Sequence, residues 1–178
     1  MKQHSSVDDA RGRKLQLRAI AVYKRRPARA RNTDYGTAEV QDGLACTYEQ
    51  DGHRVSIDMP GTIGGGDQAP TPGYFGRAAI CSCLAIGIKM TAVREGLRLR
   101  AVRVGIEQDW DDRGIFAMNG ANPAPLDTRL SVEIVSLEPR GTLDDLVTRA
   151  LESDPWFLTL RDAQPVSTTI TVNTDEVM

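Results

Sequence analysis

The chain has 178 residues, 40% of them hydrophobic and 26% charged, with a formal net charge of −2. That length suits one domain with a substantial core, the composition excludes wholesale disorder, and the charge gives no global reason to expect a nucleic-acid partner. The apolar charge-free run from Ala78 to Ile88 is about eleven residues, short of the ~20 that a bilayer span needs; no secretory leader pattern is visible, and three cysteines without framework spacing point to a cytoplasmic protein with reduced thiols.

The N-terminal stretch "KLQLRAIAVYKRRPARARN" places Leu15, Ala19 and Val22 at helical spacing and then gathers Lys24, Arg25, Arg26, Arg29 and Arg31. Pro27 should end that helix near Arg26. The basic run reads either as an anion-binding patch or as a solvated arm lying across the body, and the arm is the expected form. In "TAEVQDGLACTYEQDGHRVSIDMP", Asp51-Gly52 marks a hairpin turn, with Val55 and Ile57 alternating into a half-buried strand that Pro60 stops. The glycines of "GTIGGGDQAPTP" have neither the Lys-Ser/Thr of a phosphate loop nor dinucleotide-binding spacing, so a structural turn is expected.

Pro72 suits the first turn of a long helix. Phe75, Ala79, Ile86, Met90 and Val93 form one apolar face, while Ile80, Leu84 and Ile88 form a second. A helix apolar almost all round should be enclosed by other elements, and Gly96 is placed to end it. Alternation then predicts strands through Val102, Val104 and Ile106 and through Leu130, Val132 and Ile134, separated by the turn-rich "DWDDRG". "TLDDLVTRALES" predicts a helix with Thr142 as N-cap and Asp144 and Asp145 in its first turn. Leu143, Leu146, Val147 and Leu151 supply its buried stripe, and "PVSTTITV" is expected as a last strand. The order predicts an α+β fold with helices against antiparallel sheet.

Few residues carry obvious chemistry. His4 and His53 belong to no spaced metal set, no nucleophile-elbow motif is present, and Cys81-x-Cys83 lacks the companion pair of a tetrahedral site. No cofactor or metal is expected. Two residues apart on a helix project about 200° from each other, so Cys81 and Cys83 should have different neighbours and no easy disulfide.

The stretch "GGGDQAPTPGYFGRAAICSCLA", the strand start "LRLRAVRVGIEQDWDDRG" and the tail "LVTRALESDPWFLTLRDAQPVSTTITV" together resemble the OsmC/Ohr family, the osmotically inducible and organic hydroperoxide resistance proteins. The likeness runs from about Ala38 to Val172. It divides the chain into a basic N-terminal helical arm, 1–34, and an OsmC-like domain, 35–178. The resemblance implies two antiparallel sheets around a central buried helix in an intertwined homodimer, with no nucleic-acid or membrane partner. It also implies reduction of small organic hydroperoxides by a reactive cysteine, here Cys83, with a thiol or dithiol as reductant. An arginine from the N-terminal part of the fold activates that cysteine in the family; Arg31 or a neighbour in "RRPARARN" is the candidate, with Arg54 and Arg113 less favoured.

Two positions depart from the family pattern. The second cysteine, just before the Pro of the late helix, is replaced by Asp154, and a Glu after the Pro of the central helix is replaced by Gly73. The resemblance therefore implies a one-cysteine cycle with an external resolving thiol, unless Cys46 comes near Cys83. The alternative is a non-catalytic domain binding a small apolar ligand or a protein partner, in which Cys83 only packs. Trp156 and Phe157 are expected as core or interface anchors that could line an apolar pocket.

Overall fold

A computed structural model describes residues 6–172. The central element is helix α2, Pro72–Glu95. Its boundaries follow from local chemistry. Thr71 accepts the N–H of Tyr74, Pro72 occupies the first turn, where a missing N–H costs nothing, and Gly96 adopts φ 81° at the far end. The N–H groups of Gly96 and Leu97 return to Val93 O and Ala92 O at 3.3 and 2.9 Å, a Schellman closure that needs the left-handed residue.

Strands β1 (Thr37–Val40), β2 (Cys46–Gln50) and β3 (His53–Ile57) form one antiparallel sheet, and β4 (Leu99–Asp109) and β5 (Asp127–Ser136) form a second. The turn between β2 and β3 is Asp51-Gly52, both at positive φ, as the expected hairpin requires. In the second sheet Val102 faces Ile134, Val104 faces Val132 and Ile106 faces Leu130. This apolar face packs on the core formed by Leu84, Ile88 and Ala92 of α2 with Leu99, Leu146 and Ala150. Leu146 and Ala150 come from helix α3, Arg140–Leu151, and the short helix α4, Pro155–Arg161, packs on α2 as well.

Helix α1, Ser6–Arg25, ends as Pro27 dictates. It lies against α2 rather than in solvent alone: Asp9 pairs with Lys89 at 2.8 Å and Arg13 Nε donates to Arg94 O at 3.1 Å. Among the described residues α2 is the one helix long and apolar enough to cross a membrane, but its Leu84–Ile88–Ala92 side is committed to this core.

Three expectations are corrected. Helix α3 starts at Arg140 behind Pro139, not at Thr142, and carries no acid in its first turn and no side-chain cap. Pro139 takes the N-cap position in place of Thr142, and its extended backbone lets the helix begin three residues earlier. "PVSTTITV" is not a strand: residues 163–172 have no regular structure, and Val166 and Ile170 are 86% and 82% exposed. Its alternation pairs with neither sheet, although the outer edges of both are open. Finally, α2 is not enclosed on all sides within the single chain. Ile80, Leu84, Ile88 and Val93 are buried, whereas Ile86 and Met90 are 59% and 42% exposed.

The glycine-rich segment is a structural turn, as expected. Asp58, 2% exposed, accepts N–H groups from Met59 at 2.7 Å, Gly66 at 3.1 Å and Gln68 at 3.1 Å. These donors hold its carboxyl below the usual range. Gly65 passes so close to Met59 that a Cβ would fall 1.8 Å from that residue's carbonyl oxygen, which no other side chain could tolerate.

Candidate active site

Cys83 lies in the middle of α2, half-buried, and all three cysteines are free thiols. One helical turn further on, Gly87 shares its side of the helix. Against that side stands Asp154, the residue that opens α4 and is 3% exposed. Its Oδ1 accepts the N–H of Phe157 at 2.8 Å, capping the helix. Among the described residues no N–H or O–H group donates to its buried Oδ2. That oxygen lies against Gly87: a Cβ there would stand 3.4 Å from it, at ordinary contact distance. The Asp154 carboxylate thus meets α2 on the side that Cys83 shares.

The electrostatics of Cys83 follow from this packing. Burial pushes its thiol up, and the Asp154 carboxylate adds to the effect both as an acceptor for the proton-bearing thiol and as a negative charge. The backbone N–H of Trp156 acts in the opposite direction. The charge that acts most on Cys83 is thus a carboxylate and not a guanidinium. Cys81, also half-buried, is pushed up by burial alone. The two thiols have different surroundings, as their angular separation on a helix requires.

The remaining candidates are dispersed. Arg31 is exposed, with extended backbone just after the turn Pro27–Ala30. Arg54 is paired with Glu49 at 2.8 Å, and Arg113 clasps Asp111 through Nε and Nη2. Cys46 begins β2 opposite Ile57, in the other sheet. His53 begins β3 and is exposed; His4 lies outside the described residues. Gly73 is in the first turn of α2, where a Cβ would lie 3.2 Å from Arg77 Nη1. Trp156 is exposed and Phe157 half-buried. Among the described residues no three His, Cys, Asp or Glu side chains gather as a metal centre would need. An open groove of about 420 Å³ between β5 and α3, lined in part by Ile134, Leu143 and Val147, does not include Cys83.

Residues 64–169, from the glycine-rich turn through α4, match the sequence profile of OsmC-like proteins. The chain belongs to this family. The fold agrees: it superposes on an OsmC-like protein from Mycoplasma pneumoniae with a TM-score of 0.63 at 13% identity, covering 73% of this chain and 88% of the other. An organic hydroperoxide resistance protein OsmC from Legionella pneumophila gives 0.54 at 20% identity, covering 73% and 90%. An OsmC-like protein of unknown function from Vibrio cholerae gives 0.56 at 11% identity, covering 72% and 94%. No curated protein matches the chain in sequence.

What the sequence did not reveal is the facing of Asp154 onto Cys83, far apart along the chain. The one signal was the late-helix motif "ESDPWF", where the family resemblance implies a second cysteine at the position of Asp154.

Proposed function

We propose that this OsmC-family protein is a thiol-dependent peroxidase for small organic hydroperoxides, with Cys83 as the attacking thiol. The carrying observation is the free Cys83 in the middle of α2, faced by the very position that holds the second cysteine in the family. Asp154 cannot resolve a sulfenic acid, so the cycle closes with an external thiol. Cys83 sulfur takes the distal peroxide oxygen and releases an alcohol, giving a sulfenic acid. A thiol then condenses with it to a mixed disulfide and water, and a second thiol restores Cys83 by exchange. Free cysteines of this kind fit a reducing, cytoplasmic compartment.

The working form is proposed to be an intertwined homodimer. Two features support it: the exposed apolar side of α2 at Ile86 and Met90, and the exposed alternating segment at Val166, Ile170 and Val172. Both are surfaces that a second copy would cover. Arg31, exposed just after the turn Pro27–Ala30, is the candidate cation that would steady the negative charge as the thiol gives up its proton.

The test is consumption of cumene hydroperoxide with a dithiol reductant. The native protein should turn over, and Cys83→Ser should retain the fold and lose all turnover. A second reading, a domain that binds a small apolar ligand or a protein without catalysis, is favoured by the hold that burial and Asp154 exert on the thiol proton. Equal consumption by the native protein and Cys83→Ser would leave that reading standing.

A further inference from the structure

A nucleophile that stays protonated at neutral pH reacts slowly unless a base in contact takes its proton as the new bond forms. The surroundings of Cys83 contain a carboxylate: Asp154 Oδ2 lies 3.4 Å from where a Cβ would stand at Gly87, one turn along the same side of α2. The arrangement has three parts: the thiol, a carboxylate oxygen beside it, and a third group that fixes the carboxylate. Phe157 N–H holds Asp154 Oδ1 at 2.8 Å, which leaves the buried Oδ2 without an N–H or O–H donor. A buried carboxylate oxygen left without a donor costs stability that a purely structural cap would avoid. The oxygen lies against Gly87, one turn from Cys83. Where α1 and α3 meet α2, Asp9 is paired with Lys89 and Arg149 with Glu95, while Arg13 and Arg94 bond neutral groups.

We propose that Asp154 is the proton acceptor for Cys83, so that the family's second thiol has been exchanged for a carboxylate that serves the first half of the reaction instead of the second. The inference rests on the peroxidase reading above. The resting pair is thiol and carboxylate. As Cys83 sulfur donates its electron pair to the distal oxygen of the hydroperoxide, the O–O bond breaks and the thiol proton passes to Asp154 Oδ2. That proton then goes to the departing alkoxide. The sum is thiol plus hydroperoxide to sulfenic acid plus alcohol: sulfur is oxidised by two electrons, the peroxide is reduced by two, and the carboxylate is regenerated. The Trp156 N–H, which favours negative charge on the same sulfur, supports the developing thiolate.

The experiment compares the native protein with Asp154→Asn and Asp154→Cys. Asparagine keeps an oxygen for the Phe157 N–H, so the α4 cap survives. Single-turnover oxidation of Cys83 by cumene hydroperoxide is followed from pH 5 to 10, alongside alkylation by iodoacetamide to show that the thiol is accessible. The proposal predicts that Asp154→Asn slows oxidation at pH 7 by about 10²-fold, the scale of a positioned base. It also predicts that the mutant's rate follows thiolate formation with pH, although its thiol ionises more readily than in the native protein. On peroxide treatment, Asp154→Cys should form a disulfide between Cys83 and the introduced thiol, seen as a loss of two hydrogens. Oxidation of Asp154→Asn as fast as or faster than native would overturn the proposal and leave the peroxidase reading intact. Native protein that iodoacetamide labels at Cys83 but hydroperoxide does not oxidise would overturn both.

Discussion

Among the described residues two carboxylates are almost completely buried, and they are treated in opposite ways. Asp58 is surrounded by backbone N–H groups of the turn it organises, with donors from Met59, Gly66 and Gln68. Asp154 has one oxygen capped by Phe157 and the other without an N–H or O–H donor beside a thiol. A carboxylate whose oxygens are filled by fixed backbone donors can only hold structure. One that keeps an unfilled oxygen next to a nucleophile has capacity left for a proton or a ligand. On the proposed reading, the glycine-rich turn serves folding and the α2–α4 contact serves chemistry.

The sharpest way to break the comparison is at Gly65. Its replacement by Ala forces Met59 carbonyl away from a Cβ 1.8 Å distant and disperses the donors of Asp58. The expected loss is about 3 kcal/mol, read as an earlier urea midpoint with unchanged slope. Next is Asp58→Ala, which removes the acceptor of three part-buried N–H groups and should lower the melting temperature by roughly 5 °C or more. The pH dependence sharpens the same point. Because the folded-state pKa of Asp58 is depressed, its contribution is complete above the unfolded value of about 3.9. It is lost as pH falls from there through the lower folded value, so acid unfolding of native protein should be steeper below pH about 4 than that of Asp58→Asn. Smallest in stability is Asp154→Asn, within about 1 kcal/mol because the cap is kept. If Asp154→Asn destabilised the fold as much as Asp58→Ala, the division between a folding carboxylate and a chemical one would fail.

The sequence made part of this legible. Helix α2 could be bounded from Pro72 and Gly96, and the β2–β3 hairpin from Asp51-Gly52, because each depends on backbone preferences carried by the residue itself. The glycine-rich turn was readable as structural from what it lacks, but Asp58 as its organiser was not, since two of its donors are backbone groups 8 and 10 positions away. The segment around Val166 and Ile170 alternates like a strand, yet it pairs with neither open sheet, because alternation by itself does not specify a pairing partner. Cys83 stood out through the family likeness, whereas its closest charge did not. The Cys83–Asp154 approach depends on how α4 folds back onto α2, which has no local sequence signature.

The most direct test of the account is the fate of the Cys83 sulfur when the reduced native protein meets one equivalent of an organic hydroperoxide. Peptide mapping with a diketone reagent that traps sulfenic acids should find a single modified site, Cys83, and a mixed disulfide there once a small thiol is added. An unmodified Cys83, with oxygen found at Cys46 or Cys81 or nowhere, would contradict it.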